Sequence, residues 1–309
     1  MGLNQISCVK KGGNTGVPKC FLDIKYLFGM FILPVDKVYD ATQTLTAEAL
    51  IAALEADTLD LAEDRVYPIG NFTGFVDSST DATKETLQYG SESVTNDGKY
   101  KWAYSYKKGG VCLNKALRKF NGGSYAVLFY DINGVLYGWK DGDNFRGIPL
   151  ESLYIPKLKI NDYATSTVYS IEMVHDPIYL NDNIGFVEGS VTAWQGITGI
   201  NDVALSGTRA AAVVTAKAKT GCSATDLYDL YATELAAAAA WKATNPITGN
   251  DIGITSVAAV PNSKSWAITL TAADPDYVTT GVVISLASPA VLDGLNVSKY
   301  ESNTFTVAV

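Results

Sequence analysis

His175 is the only histidine in the chain, and it sits in Met173-Val174-His175-Asp176-Pro177 beside a carboxylate. A histidine base needs a nucleophile to activate and an acid to orient it. The chain has no G-x-S-x-G turn, the usual seat of a serine nucleophile. Asp176 follows His175 directly, and neighbours on a strand point to opposite faces. His175 is therefore expected at a surface or turn position. One histidine also rules out a zinc site of the His-x-x-x-His kind. Glu85 and Glu92 lie in a polar segment, and nothing fixes an acid and a base at a defined separation. Lys140-Asp141-Gly142-Asp143-Asn144 alternates acids as a calcium loop does, without that loop's glycine and distal glutamate. Gly12-Gly13-x-x-Gly16 looks like a phosphate cradle but lacks the Gly-Lys-Ser/Thr and the strand–loop–helix frame. The expectation is a protein that is not an enzyme, with no catalytic, metal or cofactor-binding residues.

Contact chemistry is better represented. Trp102, Tyr104 and Tyr106 share one strand parity, which reads first as a sheet core and second as a glycan-stacking surface or protein interface. Lys107, Lys108, Lys115, Arg118 and Lys119 cluster around Gly109-Gly110 and a short basic helix at 113–120. Together with Lys10 and Lys11 they are the candidate interface residues, suited to an acidic neighbour; a solvated face is the plainer alternative. They stand out because the chain carries 24 Lys and Arg against 32 Asp and Glu, a net charge of -8. That balance argues against adhesion to a nucleic-acid backbone. It is compatible with a wall along which DNA slides without sticking.

Cys8, Cys20, Cys112 and Cys222 are widely spaced and include no C-x-x-C pair. In a chain this long they read as thiols in a reducing compartment, with a shared zinc as the alternative. No apolar run is long enough for a membrane span, and the first residues do not have the form of a secretory signal.

These residues must be held by a β-rich scaffold. From Arg65 to Trp139 short strand candidates alternate with Gly and Asn turns: 66–69, 74–76, 86–89, 101–106 and 125–130. Asn133-Gly134 suggests a tight hairpin into 135–139. Thr46–Asp60 has helical spacing and a capping threonine, and is expected to cover a face or edge of the sheet. Tyr169, Ile171 and Met173 mark the core face of a strand, and 186–195 reads as another. Beyond residue 205 the chain turns rich in Ala, Thr and Val. A helix is expected over Asp226–Ala243, among strand candidates at 209–217, 253–260, 265–271, 281–287 and 304–309. The expected fold is mainly β: an antiparallel β-sandwich or barrel with a flanking helix, then a small β domain carrying one Ala-rich helix. The expected domains are an assembly arm at 1–20, a core at 21–204 and a C-terminal domain at 205–309.

Several stretches carry a family resemblance: Asn4-Gln5-Ile6-Ser7-Cys8-Val9-Lys10-Lys11-Gly12-Gly13, Arg65-Val66-Tyr67-Pro68-Ile69, Asp97-Gly98-Lys99-Tyr100-Lys101-Trp102, Gly109-Gly110-Val111-Cys112-Leu113 with Leu117-Arg118-Lys119-Phe120, the 131–138 hairpin, and Tyr300-Glu301-Ser302. Over its first 200 residues the chain resembles virion proteins of phages and prophages of Bacteroidetes-type hosts. It is similar to tail tube subunits of long-tailed phages. The resemblance implies a tail-tube type sandwich, mobile arms, and hexameric rings stacked around a DNA channel. DNA would be passing cargo, other virion proteins would be partners, and assembly would take place in the host cytoplasm. The physical reading agrees with self-contact: antiparallel sheets leave edges, and a ring that continues the sheet covers them. A head, collar or capsid-decoration protein and a carbohydrate-binding adhesin are the alternatives.

Overall fold

The computed structural model describes residues 4–5, 24, 26–40, 45–158, 167–271 and 281–308. Lys10, Lys11, Cys8, Cys20, the Gly12–Gly16 pattern and most of the expected arm lie outside these. The chain divides into two compact units, residues 1–58 with 62–198, and residues 199–309 with Leu59–Leu61.

The first unit opens with β1 (Asn4–Gln5), β2 (Leu27–Pro34), β3 (Val38–Asp40) and helix α1 (Ala47–Asp57). Then come β4 (Tyr67–Gly70), β5 (Phe72–Asp77), β6 (Thr83–Thr86), β7 (Glu92–Asn96), β8 (Tyr100–Tyr106) and helix α2 (Gly110–Leu117). After a 3-10 turn at Arg118–Phe120 follow β9 (Tyr125–Asp131), β10 (Val135–Asp141), β11 (Asn144–Arg146), β12 (Ile148–Pro149), β13 (Ser152–Tyr154) and β14 (Tyr169–His175). Helix α3 (Ile178–Asn181), β15 (Ile184–Glu188) and helix α4 (Val191–Gly196) close the unit. The larger sheet runs β1-β15-β10-β9-β2-β4, with β3, β11 and β12 at its margins. The second runs β13-β14-β8-β5, while β6 and β7 pair with each other. The fold is thus a mixture of antiparallel sheets with flanking helices, one sheet being curled like a half-barrel.

β2 shows why the layers form. Its apolar run buries both faces. Met30 and Ile32 join the core shared with Tyr104, Tyr106, Ile171 and Met173 of the second sheet. Phe31 and Leu33, one residue out of phase, join Leu50 and Leu54 of α1 and Trp194 of α4. Alternation along one central strand therefore places a sheet on one side and helices on the other. Thr46 caps α1 as expected, its Oγ1 accepting the Ala49 N–H at 3.2 Å. Asp57, at the helix end where a negative charge is unfavourable, is held by Lys37 at 2.8 Å and by the Tyr39 hydroxyl at 2.8 Å.

The turn between β9 and β10 differs from the expected two-residue hairpin. Gly134 has a φ of 84°, but Asn133 does not share a positive φ. The loop is organised by buried Asp131, whose carboxylate accepts the N–H groups of Asn133 at 2.9 Å and Val135 at 3.0 Å and the Tyr137 hydroxyl at 3.0 Å. The 186–195 strand is also corrected. It ends at Glu188, because Ser190 caps α4 through the Ala193 N–H.

The second unit contains β16 (Asn201–Ala210), β17 (Val213–Thr220), β18 (Trp241–Thr244), β19 (Ile254–Val260), β20 (Ser265–Leu270), β21 (Val282–Leu286), β22 (Tyr300–Ser302) and β23 (Phe305–Val307). One sheet runs β19-β20-β17-β16-β22 and the other β18-β21-β23. Trp241, Trp266, Ile268 and Ile284 belong to the core they share. The 209–217 candidate spans two strands, because Ala211 takes a left-handed φ of 52° and turns the chain. The Ala-rich helix at 226–243 does not form. Tyr228–Tyr231 makes one turn, two 3-10 turns follow, Ala237 is extended, and Trp241 opens β18. Tertiary pairing overrides alanine's helix propensity: Trp241 pairs with Leu286 and donates its indole N–H to the Leu235 carbonyl at 2.8 Å.

Candidate interaction surface

α2 is fixed to the second sheet from below. Leu117 and Phe120 enter the core. The Tyr106 hydroxyl donates to buried Asn114 Oδ1 at 3.1 Å. Asn121 clamps Ile155 by accepting its N–H at 2.7 Å and donating to its carbonyl at 3.2 Å. With the inner face committed, Lys115, Arg118 and Lys119 stay exposed, and so do Lys107 and Lys108 on the preceding loop. Lys115, Arg118 and Lys119 line an open concavity of about 510 Å³ with Val111, Asn114 and Leu158. Among the described residues no carboxylate forms an ion pair with any of the five cations. Three of the sequence-predicted residues, Lys115, Arg118 and Lys119, therefore share one concavity. Lys10 and Lys11 are not among the described residues.

A second surface leaves the opposite end of β8. β6 and β7 pair in the register Thr86↔Glu92, Glu85↔Ser93 and Lys84↔Val94. Every residue from 80 to 97 is exposed. The tip is closed by the Leu87 N–H to the Ser91 carbonyl and the Gly90 N–H to the Leu87 carbonyl, both at 2.8 Å. Tyr89 stands there 98% exposed, with Leu87 and Val94 also in solvent. Lys84 reaches Glu92 at 3.2 Å. The hairpin root is firmer. The Thr80 N–H bonds to the Lys99 carbonyl, and Lys99 Nζ bridges Glu151 at 2.6 Å and Asp176 at 2.7 Å. Those two carboxylates raise the Lys99 pKa, and Lys99 in turn lowers that of Asp176.

His175, Tyr104 and Tyr106 are interior and Trp102 is half-buried, while Glu85 and Glu92 are exposed. His175 is fully buried, which corrects the surface expectation. It shares the parity of Tyr169, Ile171 and Met173 on β14, and Trp102 lies edge-on to its ring at 4.5 Å. Neither ring nitrogen has a hydrogen-bond partner, nor do Trp102 Nε1 and the Tyr104 hydroxyl. Burial pushes His175 down to about 4, against weaker opposing effects of the Asp176 backbone and of the Asp176, Asp77 and Glu151 carboxylates. A base this weak is uncharged at neutral pH. Tyr104 is buried against Phe72 and Phe129, so the aromatic face of β8 packs the sandwich. Asp141 pairs with Arg146 at 3.2 Å. Among the described residues no cluster of His, Cys, Asp and Glu is arranged to hold a metal ion. No helix of these residues is long and apolar enough to cross a membrane.

Cys112, on α2, and Cys222 are disulfide-bonded, which corrects the expectation of thiols for these two. The spacing of the four cysteines in the sequence carries no pairing signal, because bridges form between residues distant in sequence. The exposure of the segment around Glu85 and Glu92 was readable, but its hairpin was not: the strand expected at 86–89 ends at Thr86, and the tip follows. Its one signal is the apolar tyrosine of Gln88-Tyr89-Gly90 inside a polar stretch. No protein-family model, curated protein or solved structure matches the chain.

Proposed function

We propose that this chain is a repeated structural subunit of a phage particle, with the tail tube as the favoured position. The observation that carries the reading is the β6–β7 hairpin, in which residues 80–97 are all exposed and three large apolar side chains stand in water. A two-stranded hairpin is at best marginally stable without a packed face. A subunit that docks into an assembly supplies that face. The second sheet adds support, since it ends on β5 and β13 and has edges that a neighbour could extend. In this reading the subunits form stacked hexameric rings, DNA passes through the lumen as cargo, and the net charge of -8 keeps the wall from holding it. Disulfides at Cys112 and Cys222 suit a particle that persists outside the cell, where such bonds survive. The glycan-stacking alternative loses Tyr104, which is buried.

The test is immunogold labelling of purified particles with an antibody against the full chain, together with negative-stain microscopy of the purified protein. Label along the tail, or sixfold rings and hollow tubes, is the expected result. Label confined to the head shell or collar overturns the tube position. Absence from particles overturns the virion reading.

A further inference from the structure

We infer that the β6–β7 hairpin of one copy seats in the α2 concavity of a second copy, joining the chains head to tail. The inference rests on the proposal that the chain assembles with itself, and it names the two surfaces that meet. The first argument is matching chemistry. The concavity offers Lys115, Arg118 and Lys119, with apolar Val111 and Leu158 exposed beside them. Lys107 and Lys108 lie exposed on the loop that leads into α2, and none of the five has a described carboxylate partner. The hairpin offers the complement: apolar Leu87 and Tyr89 at the tip, with Glu85 and Glu92 on the strands beneath them. Asp81 and Asp97 add negative charge at its base, against the single lysine Lys84. Across residues 100–130, by contrast, every charged residue before β9 is a lysine or arginine. Charge separated so sharply between two exposed elements gives an interface its orientation and raises its association rate.

The second argument is geometric. The hairpin springs from the Tyr100 end of β8, and α2 follows its Tyr106 end. Six residue steps of strand put the two ends about 20 Å apart. A protrusion and a socket at opposite ends of one strand can form a heterologous contact, which propagates into a ring or a stack. The third argument is stability. The hairpin lacks an inner face of its own, and a socket holding apolar and cationic side chains provides one.

The test uses two complementary full-length variants. In the first, residues 87–91 are replaced by Asn-Gly, which removes the tip and keeps the socket. In the second, K115E, R118E and K119E reverse the socket and keep the hairpin. Wild type is expected to self-associate in sedimentation velocity, more weakly as salt is raised from 50 to 500 mM, because salt screens such contacts. Each variant by itself is expected to bind its own kind about ten-fold or more weakly than wild type. An equimolar mixture is expected to give a 1:1 heterodimer that grows no further, since one chain of the pair has the only intact tip and the other the only intact socket. Unchanged melting temperatures establish that both variants fold.

Self-association unchanged in either variant overturns the docking while leaving self-assembly intact. A mixture that stays monomeric overturns it as well. Binding of a dT20 oligonucleotide to the wild-type socket, lost in K115E/R118E/K119E and without self-association, overturns it in favour of nucleic acid. The virion reading is judged separately by labelling of particles, so the two fail independently.

Discussion

Trp194 donates its indole N–H to the carbonyl of Gly134 at 2.9 Å, joining α4 to the β9–β10 turn across 60 residues of chain. The same carbonyl accepts the Gly189 N–H at 3.0 Å. Gly134 has to be glycine twice over: its φ is 84°, and a Cβ there would lie 2.7 Å from the backbone of Ser190 and Val191. Trp194→Phe should retain most of the packing but lose the bond, at a cost of about 1–3 kcal/mol. Gly134→Ala should cost more than that. Urea unfolding with an unchanged m-value would confirm both; a neutral Gly134→Ala would contradict this account of the turn.

Gly29 carries a related constraint. A Cβ at this position would sit 2.2–2.6 Å from three atoms of the Tyr130 side chain. Tyr130 is buried, and burial raises its pKa to about 12. Gly29→Ala should therefore destabilise by about 1–3 kcal/mol through overpacking. Tyr130→Leu should recover part of that loss. Additive effects of the two substitutions in a double-mutant cycle would show that the clash is not shared.

His175 makes stability depend on pH in a window of its own. Its folded pKa, about 4, lies below the ordinary value of 6.5. The unfolded chain therefore binds the proton more readily between those values. The contribution is fully present above about pH 6.5 and is lost as pH falls towards 4, amounting to about 3 kcal/mol. The neighbouring Asp176, lowered from 3.8 by Lys99, acts at lower pH. Thermal melts from pH 7 to 4 should show the decline in wild type and a flatter profile in His175→Phe. Parallel profiles would remove His175 as the cause.

Reduction should weaken the protein. Cys112 and Cys222 are disulfide-bonded, and loss of a bridge typically costs about 2–4 kcal/mol. A melting temperature lowered by a phosphine reductant is the expected result. Titration of thiols in denaturant should find neither residue reactive before reduction. An unchanged melt would mean that the disulfide bonding of Cys112 and Cys222 does not constrain the unfolded chain.

The sequence was readable where local and long-range preferences agree. β8 and β14 follow from alternation, and α1 follows from its spacing and Thr46, whereas β2 was not read as a strand because its apolar run shows no clean alternation. The basic surface on α2 was readable because its cations lie close together in sequence. Features set by distant contacts were not readable. Ala237–Ala240 has strong helix propensity, yet Trp241 is drawn into a strand by Leu286. Ala211 turns a hairpin with no glycine to mark it. His175 is buried because Tyr100 and Trp102 on β8 lie over it, a neighbourhood no local pattern announces. The hairpin strands were detectable in part, but their isolation depends on which strands fail to pair with them.

The pairing of β1 with β15 also bears on how the chain is made. Asn4 lies opposite Phe186, and Gln5 opposite Gly185. β1 therefore finds its partner only after some 180 further residues have been synthesised, at about 5–20 residues per second. The α1 helix can form early from local contacts, while the large sheet waits for β15. That delay leaves β1 without its partner strand for about 9–36 s in every newly made copy, a period in which a chaperone or a neighbouring nascent chain has first access to it.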